Sequence, residues 1–513
     1  MKEYPEQVAS SERSLLKIKS ALSKILFSSF LFASAVGKAG CAPPVGPIEK
    51  AMTPLLGCES FETAQAHPWI LKTIQHTECC KTDWSQLGCP HPIKKFETLE
   101  TPESGFEAKF AALMGQKPPA NFLKNGDPYA SLDFSKAPKL KAVYLSSLVF
   151  RGDFYGTVMA RLLEFQAKRG ALVNVVTTDY MLLQKDRALL EPIAAQNPNF
   201  KLDKFKYNNP NGLVSKVSNL VTDKFRDMHI KTFVTLSDEK ESDNVVIFGG
   251  RNIHDGFLFK ELPDHSRFPK LVQYGKDKDD DFVHWNDFEA KVTGKELAES
   301  TAAHVQRFVS RDKKNQVMVP FSSDIACKAA ASKDSFSHFI SVPYTDGHAL
   351  EKQYVKMIDE AKTSIKISSP YLRPLPAVTA ALERAAKRGV DIQIQTRVEL
   401  KGDTQAELYE EANKESINNL YNKAKIYEWK ENSILHSKFL LIDSEKAMIG
   451  SVNLSRRSFI QDVENGYVIE NSSVTKSMEK IFNGYVQKSA QITKPLPRKL
   501  IPTLKINLLE NQF

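Results

Sequence analysis

The chain has 513 residues, of which 42% are hydrophobic and 26% are charged. This is the composition of a globular chain with an ample core rather than of a disordered one, and the length suggests about two to four domains. The formal net charge of +9 suits an anionic partner, either a phospholipid surface or nucleic acid, and does not choose between them. A solvated basic surface explains it equally well.

The N-terminal segment has the features of a secretory leader. Residues 25–37 (ILFSSFLFASAVG) form an apolar run that has basic residues before it and is too short to span a membrane. Residues 33–35 (ASA) fit a signal-peptidase site, and Cys41 offers a lipoprotein-type alternative. We expect residues 1–40 to be the leader of an exported protein that is periplasmic, secreted or an outer-surface lipoprotein, and membrane-associated. A buried helix or an uncleaved anchor stays open.

The cysteines are concentrated near the N-terminus, which agrees with export. Beyond this cluster the chain contains only Cys327. Clustered cysteines in an exported chain predict disulfides, and the nearby His76 and His91 leave a zinc site as an alternative. We treat residues 41–136 as a Cys-containing N-terminal extension. The clustered residues are Cys41, Cys58, Cys79, Cys80 and Cys89.

The rest of the chain contains a strand–helix–strand pattern twice. The first copy covers residues 140–179 and the second residues 363–398, and both helices end in the tetrapeptide Ala-Lys-Arg-Gly. Each copy predicts a βαβ unit with parallel strands. The order of elements therefore indicates an internal repeat of one α/β domain, in residues 137–320 and again in residues 321–495, followed by a basic tail at 496–513.

Each half also contains a His-x-Lys element followed by a hairpin-like run. The second copy is HSKFLLIDSEKAMIGSVN, with His436 and Lys438, and the first begins with His229 and Lys231. Side chains two apart on a strand point to the same face, so each His lies beside a fixed cation. The small residues and the Asn that follow allow close approach to a ligand and supply neutral donors. Such a set suits a phosphate.

Two such sets facing each other can perform phosphoryl transfer. One His attacks phosphorus and forms a phosphohistidine, while the other protonates the leaving alcohol and then activates water or a second alcohol. The usual histidine pKa of about 6.5 suits both roles. The Lys and Asn side chains neutralise the oxyanions of the transition state, so this chemistry needs no metal and no cofactor.

These motifs resemble the phospholipase D superfamily, whose signature HxK(x)4D(x)6GSxN occurs in each of two halves. The resemblance covers roughly residues 137–495. It implies two repeated α/β/α domains with mixed, largely parallel sheets, packed as a pseudo-twofold unit. The first copy departs from the pattern because Leu236 replaces the Asp, and Asp238 follows two residues later. The second copy matches throughout, at His436, Lys438, Asp443, Gly450, Ser451 and Asn453, and the first keeps His229, Lys231, Gly249, Gly250 and Asn252.

The resemblance also implies roles for individual residues. His229 is expected to be the nucleophile and His436 the general acid, with Glu464 and Asp287 as orienting carboxylates, one for each His. Further residues are expected to bind substrate, namely Gly250, Gly450, Ser451 and Ser458, or to support the hairpins, namely Asp443 and Asp238.

The pattern GGRNI followed by a W-x-D…TG strand is most similar to bacterial cardiolipin synthases and related phospholipases. The expected function is therefore transfer of a phosphatidyl group to water or to an alcohol, at a phospholipid membrane surface and by a monomer. Two alternatives remain, a nuclease of the same superfamily and a degenerate protein that only binds anionic lipid.

Overall fold

The computed structural model describes residues 90–206, 227–276, 282–309, 334–341, 349–399, 404–500 and 502–503. The predicted leader, all six cysteines, the predicted domain boundary near residue 320 and the end of the C-terminal tail lie outside these residues.

The described residues form nineteen strands and ten α-helices. The strands are β1 (Lys95–Leu99), β2 (Ala142–Ser146), β3 (Leu172–Thr178), β4 (Phe200–Phe205), β5 (Thr232–Leu236), β6 (Val245–Gly249), β7 (Trp285–Asn286), β8 (Glu289–Thr293), β9 (Ser335–Ser341), β10 (Ser364–Ser368), β11 (Leu372–Arg373), β12 (Asp391–Thr396), β13 (Lys425–Trp429), β14 (Ile434–Leu435), β15 (Phe439–Ile442), β16 (Lys446–Gly450), β17 (Leu454–Ser455), β18 (Glu464–Glu470) and β19 (Ser489–Ile492). The helices are α1 (Pro102–Met114), α2 (Phe122–Asn125), α3 (Phe154–Lys168), α4 (Gln184–Gln196), α5 (Lys295–Val309), α6 (Ala349–Glu360), α7 (Pro376–Lys387), α8 (Thr404–Leu420), α9 (Arg456–Ile460) and α10 (Ser472–Val486).

Two large sheets share one strand order. The first sheet runs β1-β8-β6-β5-β2-β3-β4, and the second runs β9-β18-β16-β15-β10-β12-β13 with β19 added at its far edge. The predicted βαβ units supply β2, α3 and β3 in one half and β10, α7 and β12 in the other. The repeat and the α/β class are thus confirmed.

Both sheets are mixed, and their parallel pairs lie in the βαβ part. The strands β2, β3 and β4 are parallel to one another, as are β10, β12 and β13. The pairs formed by the His-x-Lys hairpins and by the strands beyond them are antiparallel. This arrangement follows from connection length, because a short turn can join only antiparallel neighbours while a helix can return the chain in parallel.

The described part of the N-terminal extension is built into the first half. Strand β1 pairs with β8 at the edge of the first sheet, and helix α1 buries Phe106, Phe110 and Leu113. In the second half β9 and α6 occupy the corresponding places. A buried ion pair reinforces the attachment, since Lys109 Nζ lies 2.5 Å from Glu289 Oε1 on β8.

A continuous apolar core joins the two halves. It includes Phe248 and Phe288 from the first half and Phe439 and Tyr467 from the second. The rings of Phe248 and Tyr467 have centroids 4.0 Å apart, and those of Phe288 and Phe439 are 5.6 Å apart. Burial of large aromatic rings is a strong source of stability, so this interface fixes the halves with respect to each other. Among the described helices, none is both long enough and apolar enough to span a lipid bilayer.

Candidate active site

The two His-x-Lys elements lie at the starts of equivalent hairpins. His229 and Lys231 precede β5, which pairs antiparallel with β6, and His436 and Lys438 precede β15, which pairs with β16. All four side chains are buried. The Lys231 ammonium donates to the backbone oxygen of His229 at 3.0 Å, and Lys438 makes the same contact with His436. Each ammonium is therefore held beside its own histidine.

Short pairings between the halves set the position of each histidine. Strand β14, just before His436, pairs in parallel with β7 of the first half, and the His436 amide donates to Asn286 O at 2.8 Å. The matching contact at the other histidine runs from the His229 amide to Val463 O, also at 2.8 Å. Each histidine backbone is thus tied to the other half of the chain.

These pairings bring each imidazole to a carboxylate of the opposite half. His229 Nδ1 lies 2.9 Å from Glu464 Oε2, and His436 Nδ1 lies 2.8 Å from Asp287 Oδ2. Both carboxylates are fully buried. An ionised carboxylate on Nδ1 holds the proton on that nitrogen and leaves the Nε2 lone pair available. The carboxylates expected from the resemblance therefore contact the two histidines, and the contacts are crossed between the halves.

The small residues after β6 and β16 make room for the carboxylate strands. A Cβ atom on Gly250 would lie 2.1 Å from Asp287 Oδ2, and one on Gly450 would lie 2.2 Å from the backbone oxygen of Asn465. Protein atoms thus make a close approach to both glycines. The assignment of Gly250 and Gly450 to substrate binding stays a prediction.

The two halves support their carboxylates differently. Ser451 stands where the first half has Gly250, and its hydroxyl contacts Glu464. Burial raises the pKa of Glu464, and a hydrogen bond from Ser458 opposes that rise. Asp287, which is one methylene shorter, occupies the space beside Gly250 instead. The assignment of Ser451 and Ser458 to substrate binding stays a prediction, and the contacts here are with the carboxylate.

The two asparagines of the motifs border the histidines in equivalent loops. Asn252 Oδ1 lies 3.3 Å from Ser147 Oγ and 3.4 Å from the Val149 amide nitrogen, which holds its side chain in place. Asn453 Oδ1 is buried without a hydrogen-bond partner in the described residues. A buried polar atom of this kind is costly unless a ligand satisfies it.

The motif aspartates do not have equivalent surroundings. Asp443 accepts hydrogen bonds from the amides of Lys362, Thr363 and Ser364, at 2.8 to 2.9 Å, and so ties its hairpin to β10. Asp238 does not take this place. It is 61% exposed and contacts only the Lys141 and Lys295 ammonium groups within the described chain.

A different residue holds the first hairpin. Asn244 Oδ1 accepts from the Ser237 amide at 3.0 Å, and its Nδ2 donates to the Ser237 oxygen at 3.0 Å. Leu236, in register with Asp443, is buried instead. One signal in the sequence pointed to Asn244, a polar residue just before the apolar run of β6.

Burial controls the protonation states of the site. It lowers the pKa of His229 and of His436 well below the usual value, and nearby ammonium groups act in the same direction. Burial also raises the pKa of Glu464 to about 7 and that of Asp287 to about 6. For Lys231 burial outweighs the neighbouring carboxylates and lowers the pKa to about 8.

The two halves of the site lie within electrostatic reach of each other. Both carboxylates, Glu464 and Asp287, act on the pKa of Lys231 and on that of Lys438. The His229 imidazole likewise acts on the pKa of His436. Such coupling requires short separations through a poorly hydrated interior, so the two His-x-Lys elements lie close to each other.

Three further side chains surround His436, and sequence analysis missed them. The ring centroids of Trp285 and Phe257 lie 4.9 Å and 5.2 Å from that of His436. The third is Arg397, whose guanidinium Cζ lies 5.9 Å from the Trp285 ring centroid. One signal could have revealed Arg397, which directly follows the predicted parallel strand β12, because ligands bind at the carboxyl ends of parallel strands.

Comparisons with known proteins agree with this geometry. Residues 354–486 match the family described as cardiolipin synthase, PLD-like domain. The cardiolipin synthase of Clostridium perfringens is 28% identical over 246 residues, which are 46% of this chain and 46% of that protein. Cardiolipin synthase 2 of Staphylococcus epidermidis is 35% identical over 142 residues, 28% of each chain. The match thus spans about half the length, or less, of these curated relatives.

Among solved structures, the phosphatidylserine synthase of Haemophilus influenzae superposes with a TM-score of 0.57 and 13% identity, covering 83% of this chain and 96% of that one. This likeness shows the fold over nearly the whole described chain. Residues 354–486 are therefore similar to the PLD-like domain of cardiolipin synthases, and the chain as a whole shares the fold of the phosphatidylserine synthase structure.

Proposed function

We propose that this protein is a phosphodiesterase or phosphatidyltransferase that acts on phospholipids through a phosphohistidine. One observation carries the proposal. Two buried histidines lie within electrostatic reach of each other, and each is held through Nδ1 by a carboxylate of the opposite half, Glu464 for His229 and Asp287 for His436. This leaves two Nε2 atoms as an opposed nucleophile and proton donor.

In the first step His229 Nε2 attacks phosphorus and the bond from phosphorus to the leaving alcohol breaks. The leaving oxygen takes a proton from His436 Nε2. Glu464 stabilises the positive charge that develops on the His229 ring. The burial that lowers the pKa of His436 is offset in the complex, because the anionic phosphodiester favours the imidazolium form.

In the second step His436, now neutral, accepts a proton from water or from an acceptor alcohol. The oxygen attacks phosphorus, the phosphorus–nitrogen bond breaks, and its electron pair returns to His229. Hydrolysis and transfer differ only in which hydroxyl enters. The Lys231 and Lys438 ammonium groups and the Asn252 and Asn453 amides stabilise the phosphoryl oxygens in both steps.

The relatives support a phospholipid as the substrate. The matched proteins are named cardiolipin synthases and the superposed structure is a phosphatidylserine synthase. A nuclease is the second candidate, since the net charge of +9 also suits nucleic acid. A protein that only binds anionic lipid is disfavoured by the complete sets of His, Lys, Asn and carboxylate in both halves.

The test is to incubate the purified protein separately with phosphatidylglycerol vesicles and with single-stranded DNA. We expect release or exchange of the lipid head group and no cleavage of DNA. Lys438→Ala should abolish the lipid reaction, while Lys476→Ala, which removes an exposed lysine of helix α10, should not. Cleavage of DNA alone would identify a nuclease, and binding of vesicles without any turnover would leave only a lipid-binding protein.

A further inference from the structure

The proposed site has two ends, one beside His229 and one beside His436. These ends are not equivalent, although the halves repeat each other. Strand register identifies corresponding positions in the two halves. Leu435 pairs with Asn286 in the same way as Met228 pairs with Val463. Strand β12 likewise pairs with β10 in the same way as β3 pairs with β2. The chemistry at these positions differs between the ends. The corresponding pairs are Trp285 and Asp462, Phe257 and Ser458, and Arg397 and Thr178.

The end near His436 is aromatic. Trp285 and Phe257 stack with centroids 5.7 Å apart, and both rings meet the His436 ring nearly edge-on. Trp285 is only partly buried. This end therefore presents an apolar wall beside the predicted proton donor.

A buried cation completes that wall. Arg397 is 6% exposed, and its Cζ lies 4.9 Å from the Tyr371 centroid and 5.9 Å from the Trp285 centroid. Its Nε has no hydrogen-bond partner. The guanidinium hydrogen-bonds to the Tyr371 side chain, and no carboxylate of the described residues forms an ion pair with it. Burying a guanidinium without an acid is costly, and ring contacts offset only part of that cost.

Arg397 also acts on the reacting groups. It is one of the charges that, after burial itself, lower the pKa of His436 and that of Lys438. An anion bound between Arg397 and His436 would therefore satisfy the buried charge and favour the protonated form of His436.

At the other end the cation is already neutralised. Arg457 Nη2 lies 2.6 Å from Asp227 Oδ2, and its Nε lies 2.9 Å from Asp462 Oδ2. The Tyr180 hydroxyl donates to Asp227 at 2.8 Å, and Thr178 donates to a backbone oxygen. The two arginines thus differ among the described residues, since Arg457 is paired with two acids and Arg397 with none.

We propose that Arg397, together with Trp285 and Tyr371, binds a second anionic group, a phosphate or carboxylate, on the alcohol that leaves or enters beside His436. This inference rests on the proposed function and names its substrate class, a phosphodiester whose alcohol portion is itself anionic. The guanidinium supplies charge-assisted hydrogen bonds, and the rings cover the carbon skeleton of the alcohol.

The experiment compares two short-chain lipids with the same phosphatidyl part. One is phosphatidylglycerol, whose leaving alcohol is neutral, and the other is phosphatidylglycerol phosphate, whose leaving alcohol carries a phosphate. The wild type should favour the second in kcat/KM. Arg397→Gln should reduce this preference about tenfold to a hundredfold, the usual contribution of a charge-assisted hydrogen bond, and Arg397→Lys should restore part of it.

Arg384→Gln is the matched control. This substitution also removes one positive charge from the second half, but at an exposed ion pair with Asp359. The preference between the two lipids should therefore equal that of the wild type. If Arg397→Gln slows both lipids equally, Arg397 acts on the shared phosphodiester and the inference is overturned. The same holds if the wild type shows no preference.

Binding measurements keep the inference testable independently of turnover. By calorimetry, sn-glycerol 3-phosphate should bind the wild type more tightly than inorganic phosphate does, and Arg397→Lys should reduce the difference. If neither lipid is cleaved the proposed function fails, but this binding preference would still support the anionic site. Equal binding of the two compounds to the wild type overturns the inference. This outcome can be measured even if the Arg397→Gln variant does not fold.

Discussion

At the residue scale, a histidine and its buried carboxylate titrate as one unit. Burial raises the pKa of Glu464 to about 7 and lowers that of His229. Below about pH 7 the pair holds one extra proton. That proton either binds Nε2 of His229 directly, or it sits on the Glu464 carboxyl and shifts the ring proton from Nδ1 to Nε2. We therefore expect the proposed nucleophile, His229, to be competent only above about pH 7. Lys231 sets an upper limit, because its charge is lost above about pH 8.

The first prediction concerns this pH profile. With a p-nitrophenyl phosphodiester the leaving group needs no proton, so the rate of phosphohistidine formation reports on His229 and Lys231. Quenched-flow trapping should give a narrow bell between about pH 7 and about pH 8. Glu464→Gln should move the acid limb below 6.5, because His229 alone keeps its lowered pKa. An acid limb that does not move would assign it to another group.

The second prediction concerns the glycine that faces Asp287. Gly250→Ala places a Cβ 2.1 Å from Asp287 Oδ2 and should displace the carboxylate from His436. A misplacement on this scale costs about a hundredfold in rate. Gly484→Ala is the control, because a Cβ at this position in helix α10 meets nothing within 4 Å, and activity should be unchanged. Full activity in Gly250→Ala would mean that Asp287 need not hold His436.

At the scale of elements, the two hairpins are supported by different side chains. Asp443 accepts hydrogen bonds from the amides of three consecutive residues leading into β10. The Asn244 side chain instead hydrogen-bonds to the backbone at the other end of its own turn. The hairpin itself, an apolar strand, a polar turn and a return strand, could be predicted from the sequence. Its support could not, because spacing alone assigned the role to Asp238.

The third prediction separates these aspartates. Asp443→Ala leaves backbone amides without acceptors and should lower the free energy of unfolding by about 1–3 kcal/mol, the usual cost of such groups. Asp238→Ala removes only exposed ion pairs and should change it by less than about 0.5 kcal/mol. Urea denaturation of both variants beside the wild type measures the difference. Equal losses would show that Asp238 supports its hairpin after all.

At the scale of the whole molecule, the crossed contacts divide each catalytic function between the halves. Asp287 lies in the first half and holds His436, while Glu464 lies in the second half and holds His229. A substitution in one half should therefore impair the histidine of the other.

The fourth prediction follows from this crossing. With the p-nitrophenyl substrate, Asp287→Asn should still form phosphohistidine, as His436→Ala should, because the acid matters little to a good leaving group. With a phospholipid, whose alcohol needs a proton, it should be slow. Glu464→Gln should instead form the intermediate slowly with both substrates, and His229→Ala should form none. The reverse pattern would exchange the roles of the two histidines.

The sequence predicted the repeat, the α/β class and the motif residues, because periodicity and spacing are local properties. It did not show which carboxylate serves which histidine, since that depends on how β7 pairs with β14 across more than a hundred residues. Strand β1 was missed as part of the first sheet because an edge strand of five residues has little periodicity. Arg397 carries no motif, and beyond its place after β12 only its position against Trp285 reveals it.

The crossed contacts also have a consequence for synthesis of the chain on the ribosome. Glu464 lies 235 residues beyond His229. At roughly 5–20 residues per second, the emerging polypeptide carries the histidine for on the order of 10–50 s before its carboxylate exists. We therefore expect the nascent protein to be inert during translation and to acquire the proposed activity only when the last strands of the second half pack onto the first.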